Sequence, residues 1–180
     1  MKELKIYARA GQGAITSATI LGQALFLEEK YAYAFPHFGA ARMGAAMNAF
    51  LRFDSQPVRS HYQIYKPDYV MIIDHSLISA IDCFAGLKEK GIVLLNKKDG
   101  VQIPQLKNSQ KIFDIPAEKI ALEIIGKPFA NTPLLGAFAK VSGEVKLESI
   151  LEAVKMQFSL KKEILDKNLE AVRKGYEAID

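Results

Sequence analysis

The chain has 180 residues, 49% hydrophobic and 24% charged, which is enough apolar material for a full core and excludes intrinsic disorder. Its 24 basic and 20 acidic residues give a formal charge of +4; the lysines are spread out rather than gathered in a run, which argues against a nucleic-acid face and leaves room for an anionic ligand or partner. One cysteine, Cys83, excludes an internal disulfide and an iron–sulfur cluster ligated by this chain alone, and no apolar run reaches the roughly 18 residues of a membrane span.

Leu4–Ala8 predicts a first strand, and Arg9-Ala10-Gly11-Gln12-Gly13 a glycine turn leading into a helix from Ala14 to about Glu29. There Ile15, Ala18, Gly22, Leu25 and Phe26 recur at the spacing of one helical face. Tyr31–Phe35 predicts a second strand, followed by a loop of small residues from Pro36 to Ala46. Met47–Phe53 reads as a third strand, and Asp54-Ser55-Gln56-Pro57 as a turn from which Val58 onward would return as a hairpin partner. Tyr69–Asp74 is a continuous apolar run, as in a strand covered on both faces, and a helical segment ending near Leu87 follows. Ile92–Leu95 and Lys111–Phe113 read as further strands, with a helix over Pro116–Ile125.

Beyond Asn131-Thr132-Pro133 the pattern is helical, with one stripe at Leu147, Ile150, Leu151, Val154 and Phe158 and another at Leu165, Leu169, Val172 and Tyr176. The alternation predicts an α/β fold: an open, three-layer, Rossmann-like, mostly parallel sheet with helices on both faces and a helical C-terminal tail. A single domain, 1–180, is expected, with the sheet core in 1–130 and helices in 131–180. The sequence opens without a signal-peptide pattern, so a cytoplasmic location is the expectation.

Gly11 and Gly13 at a strand-to-helix turn suit a phosphate or carboxylate cradle, since glycine permits positive φ and close approach, and a helix start offers free N–H groups. The alternative is a tight turn with no ligand. A dinucleotide fingerprint fails at Thr16, where a third glycine is needed, and Tyr33, Ala34 and Phe35 stand where the ribose-binding acid is expected. A Walker A loop fails because Ala14-Ile15 follow Gly13. Arg9 and Arg42 both follow strand ends and could converge on one anion, or each could lie on solvent or pair a surface carboxylate. His37, His61 and His75 are not at metal-ligand spacing, Asp74-His75 reads as structural capping, and Cys83 as a small buried hydrophobe. No complete catalytic set emerges, which suggests a chain that needs partners.

The blocks Ala8-Arg9-Ala10-Gly11-Gln12-Gly13-Ala14, Ala34-Phe35-Pro36-His37-Phe38-Gly39 and Arg42-Met43-Gly44-Ala45 resemble the gamma subunit of 2-oxoacid:ferredoxin oxidoreductases, closest to the pyruvate and 2-ketoisovalerate branch. The resemblance continues through Gln63–Val70, Gly86-Leu87-Lys88, Asn131–Ala137 and Lys167–Val172, in family order. The chain departs from the family at Ala8 and Ala10, where glycine is common, at Ala41, where an acid is frequent, and at Ala46, where proline is.

The resemblance implies a subunit of an enzyme that oxidatively decarboxylates a 2-oxoacid, transfers the acyl group to coenzyme A and passes electrons to ferredoxin. Thiamine diphosphate, magnesium and the iron–sulfur clusters would belong to alpha-, beta- and delta-type partner subunits, with no nucleic acid or membrane involved. This chain would contribute to coenzyme A binding. Gly11, Gln12 and Gly13 would lie at the diphosphate or pantetheine, Arg9 and Arg42 would be charge partners, and Asn131 and Thr132 would donate nearby hydrogen bonds; no residue here is expected to be catalytic. Alone, the chain is expected to self-associate, as a dimer. The competing readings are a ligand-free subunit-interaction protein and the indolepyruvate oxidoreductase branch; Phe35-Pro36-His37-Phe38-Gly39 argues against the latter.

Overall fold

The structure, a computed structural model, describes residues 1–38, 44–100, 102–107, 109–160 and 162–179. Arg42 and the rest of its loop, 39–43, therefore lie outside the described residues. Six strands form one sheet: β1 (Lys2–Arg9), β2 (Tyr31–Phe38), β3 (Ala46–Asp54), β4 (Tyr69–Ile72), β5 (Ile92–Asn96) and β6 (Lys111–Ile115), in the order β2-β3-β1-β4-β5-β6. From β1 outward the sheet is parallel, with Leu4 beside Tyr69, Tyr69 beside Ile92 and Ile92 beside Lys111. β3 runs antiparallel to both of its neighbours. The mixed, mostly parallel α/β sheet matches the expected class.

Five α-helices complete the fold: α1 (Ala14–Leu27), α2 (Ala117–Ile125), α3 (Asn131–Ser142), α4 (Leu147–Phe158) and α5 (Lys162–Glu177). The two faces of the sheet are covered unequally. The buried side chains of α1 to α5 join Leu4, Ile6, Ala49, Leu51, Met71 and Leu94 in one large core on one face. The opposite face, with Tyr7, Val70, Ile72, Val93 and Leu95, is covered by a short 3-10 helix (His75–Ser79) and the turns after it, through Leu77, Cys83 and Leu87. β4 and β5 are buried on both sides, which is why their sequences are apolar throughout. Burial, with the nearby Asp82 charge adding to it, pushes the Cys83 thiol up to about 12, so it is the inert hydrophobe its neighbours suggested.

Three expected elements are corrected. The second strand does not end at Phe35 but runs to Phe38, with Pro36 opposite Ala49. β2 is the edge of the sheet, where proline's missing N–H costs no ladder bond. Val58 onward forms no hairpin, because β1 and β2 already occupy both sides of β3. The helical segment expected before Leu87 is one 3-10 turn followed by irregular turns.

The segment after β3 instead folds across the sheet and is held by Arg52, whose side chain is fully buried. Its Nε donates to Glu3 Oε1 at 2.9 Å, and its terminal nitrogens donate to the carbonyls of Ser60, Tyr62 and Gln63. The Tyr62 ring lies over the guanidinium, 4.5 Å away. On the helical face, Gly136 and Gly175 bring α3 and α5 into backbone contact: a Cβ at either would sit 1.8 Å from a carbonyl oxygen of the other helix. Among the described residues no helix is long and apolar enough to cross a membrane.

Arg52→Ala would take the fully buried guanidinium from Glu3 and leave three carbonyls without their donor, and is expected to destabilise the chain by about 3–5 kcal/mol in urea unfolding. Arg52→Lys, which keeps the charge but loses the planar fork, should recover only part of it.

Candidate active-complex site at the end of β1

The chain leaves β1 and enters α1 on one face, whereas it leaves β4 and enters the 3-10 helix on the other. A crevice between the carboxyl ends of two parallel strands follows, as at the switch points of open α/β sheets. Gly11 (φ +97°) and Gly13 (φ +82°) make the turn. Gln12 between them acts as a clamp: its Oε1 accepts from the Arg9 N–H at 2.7 Å, and its Nε2 donates to Asp74 Oδ2 at 2.7 Å.

Arg9 belongs to the same network. Its Nε and one terminal nitrogen donate to Ser76 Oγ, the other donates to the Gly44 carbonyl, and Nε lies 3.3 Å from Asp74 Oδ2. Asp74 caps the 3-10 helix through the Ser76 N–H, as its position suggested. Burial, the largest influence on Asp74, opposes its ionisation. The hydrogen bonds from Ser76 and Gln12, with the Arg9 charge, outweigh that and hold the carboxyl below the usual carboxylate value.

On the helical side of the turn lies a pocket of about 380 Å3. Gly11, Gln12, Gly13 and Thr16 form one wall; Lys127, Phe129, Asn131 and Thr132 before and within the first turn of α3 form another; the end of α4 and the start of α5 close it. The N-termini of α1 and α3 both border it, and neither has a side-chain cap or an acid in its first turn. Their dipoles make this region favourable to anions.

Asn131 is the distinctive residue of the pocket. The residue is 8% exposed and lines the pocket, where its amide makes no hydrogen bond to another described residue. It lies flat against Gly13, where a Cβ would be 2.7 Å from the amide nitrogen. The glycine at 13 therefore serves two ends, a positive φ and the space for Asn131. Thr132, also buried, donates to Asn168 Oδ1 at 3.1 Å, and Asn168 Nδ2 donates to the Ile164 carbonyl, so these two are largely satisfied within the chain.

Of the residues expected at the site, Gly11, Gln12, Gly13, Asn131 and Thr132 line this one pocket. Arg9 does not line it, because its guanidinium is turned to Ser76 and Asp74. Arg42 lies outside the described residues. Sequence reasoning passed over Ser76, Lys127, Phe129 and Asn168. Only Asn168 carried a signal, as an amide directly beside the apolar stripe of α5. Among the described residues no group of three or more His, Cys, Asp or Glu could hold a metal.

Asp74→Asn should lower the melting temperature at pH 7. The folded pKa of Asp74 is depressed, so its contribution is present above the unfolded value of about 3.9 and is lost as pH falls through the folded value. Melts taken from pH 7 to 3 should show wild type and variant converging at the acid end.

The family model for pyruvate ferredoxin/flavodoxin oxidoreductase matches residues 3–178. The chain is 48% identical over 180 residues to the pyruvate/ketoisovalerate oxidoreductases common subunit gamma of Pyrococcus furiosus, covering 98% of this chain and 96% of that one. It is 46% identical to the pyruvate synthase subunit PorC of Methanothermobacter thermautotrophicus, covering 100% and 97%. The crystal structure of the pyruvate oxidoreductase subunit PORC from Thermotoga maritima superposes with a TM-score of 0.85 at 37% identity, covering 99% and 97%. A 2-oxoglutarate:ferredoxin oxidoreductase from Magnetococcus marinus, solved with 2-oxoglutarate, coenzyme A and succinyl-CoA, shares the fold at a TM-score of 0.81 and 20% identity; this chain covers 30% of it. With the whole length matched and the glycine turn in place, the chain belongs to the pyruvate ferredoxin/flavodoxin oxidoreductase family, as a gamma subunit.

Proposed function

We propose that this gamma subunit is the element of a cytoplasmic 2-oxoacid:ferredoxin oxidoreductase that holds coenzyme A, while alpha-, beta- and delta-type partners carry thiamine diphosphate, magnesium and the iron–sulfur clusters. The observation that carries the reading is the pocket beside the Gly11–Gly13 turn, bordered by two uncapped helix N-termini, with the Asn131 amide on its wall. Helix N-termini without acidic residues or side-chain caps favour an anionic ligand, and the Asn131 amide on the wall can hydrogen-bond it. A chain with one cysteine cannot ligate a cluster by itself, and this supports placing the clusters on partners. The coenzyme A in the Magnetococcus relative is consistent with the same assignment.

The chain's own work in such a complex is binding and orientation. The Gly11–Gly13 turn presents backbone N–H groups, Asn131 fixes one orientation of the bound molecule, and the Gln12 clamp keeps the turn rigid against β4. Arg9 acts at one remove, as a positioning residue that ties β1 to Ser76 and Asp74.

Gly13→Ala would strain a positive-φ backbone and displace Asn131, so coenzyme A affinity, read by calorimetry on the full chain, should fall tenfold or more. Arg9→Ala should lower the melting temperature and leave that affinity within about twofold, because its side chain is not in the pocket; equal losses of affinity in the two variants would count against the assignment. The purified chain without partners should turn over no 2-oxoacid with any acceptor dye, and turnover there would overturn the subunit reading.

A further inference from the structure

Helix α1 has the composition of a helix buried on every side. From Ala14 to Leu27 it carries no charged residue, alone among the five α-helices described. A helix apolar all round belongs inside a core, and α3, whose one charge is Lys140, is buried over nine of its twelve residues. α1 is not closed in this way. Its apolar positions split, with Ala18 and Leu25 turned to the core and Ile15 and Phe26 to solvent, 38% and 75% exposed. Ile15, Thr19, Gly22 and Phe26 share one helical face. That face continues onto the free edge of the sheet: a Cβ on Gly22 would touch Ala32 and Ala34 of β2, and Tyr31, Ala34 and Pro36 are exposed.

We propose that this face is the contact between two copies of the chain, paired through their α1 helices running antiparallel about a twofold axis. Pro36 takes a donor from the free edge of β2, so the edge is ill suited to adding a strand and the contact is made by side chains. The spacing is self-complementary. A pair centred between Ile20 and Leu21 sets Thr19 opposite Gly22 of the second copy, and Ile15 opposite its Phe26. Crossing helices are closest at the crossing and diverge on either side, so small residues belong at the centre and large ones at the ends. Gly136 and Gly175 meet that demand where α3 crosses α5. Thr19 and Gly22, between Ile15 and Phe26, repeat it on an open face.

Charge favours a second copy as the occupant. The chain has a formal charge of +4, so a self-contact through its charged surface works against mutual repulsion. The α1 stripe avoids that, and β2 beside it adds only tyrosines and His37 as titratable groups. A partner recognised by opposite charge would find nothing to read on this face. A twofold contact needs one patch that tolerates its own image, and an uncharged stripe with small residues at its middle does so.

The test is sedimentation of the purified full chain over a concentration series, where a reversible monomer–dimer equilibrium is expected. Phe26→Asp should weaken the dimer about tenfold or more and, because the ring is exposed, leave the melting temperature unchanged. Gly22→Ala is a second variant that should fold, since its methyl comes no nearer than 3.7 Å to the atoms around it. Its melting temperature should hold or rise while the dimer weakens. For the orientation, Ile15→Cys and Phe26→Cys combined in one chain should give disulfide-linked dimers with oxidised glutathione, and Phe26→Cys alone should not; Cys83 is buried and does not compete. A dimer that Phe26→Asp or Gly22→Ala leaves as tight, or efficient linking of Phe26→Cys to itself, would overturn the proposal. So would a chain that stays monomeric at every concentration and protects residues 14–27 from hydrogen exchange only when the other subunits are added, which would give the face to one of them.

Discussion

The turn between β1 and α1 depends on one side-chain amide. Gln12 accepts from the Arg9 N–H with its oxygen and donates to Asp74 with its nitrogen, so a short loop is tied at once to the strand it leaves and to the strand beside it. Two glycines at positive φ make the turn possible, and Gln12 selects one shape from those glycine allows. Because β1 is central and α1 packs on the large core, fixing this turn also fixes where the α1 N-terminus points.

From that fixed point the pocket is assembled by packing. Gly13 has no side chain, and Asn131 fills the space one would occupy. Asn131 is held there because α3 is locked to α5 through the Gly136 and Gly175 contacts, and because Thr132 bonds to Asn168 across the same crossing. Close helix packing and site geometry are thus one arrangement. A change of volume at the crossing would move the pocket wall as well as cost stability.

The two faces of the sheet differ in kind. The helical face is one large apolar core, whereas the other combines a smaller apolar cluster with polar fastenings, Arg52 holding the segment after β3 through Glu3 and three carbonyls. A buried guanidinium of this sort is costly to desolvate and acceptable only when its donors are well satisfied. It secures a segment that has no strand partner. The division leaves the pocket on the helical side of the sheet.

Much of this was legible in the residues themselves. The apolar runs of β4 and β5, the stripes of α4 and α5 and the glycine turn are local patterns, set by the period of side-chain burial and by backbone sterics, so the sequence by itself determined an α/β sheet with a candidate anion turn. It also placed Asn131 and Thr132 beside that turn, by resemblance. What only the tertiary structure decided was which partners the polar groups find across long separations. Arg9 is turned toward Ser76, 67 residues away, and not toward the pocket; Gln12 is spent on Asp74, 62 residues away; Arg52 is buried and not exposed. The antiparallel placement of β3 and the extension of β2 through Pro36 belong here too, since they depend on which edge of the sheet is vacant. The reason is physical: local sequence fixes the conformations a segment prefers, whereas hydrogen-bond partners and helix crossings are settled by volume and unpaired polar atoms that meet only once the chain is folded.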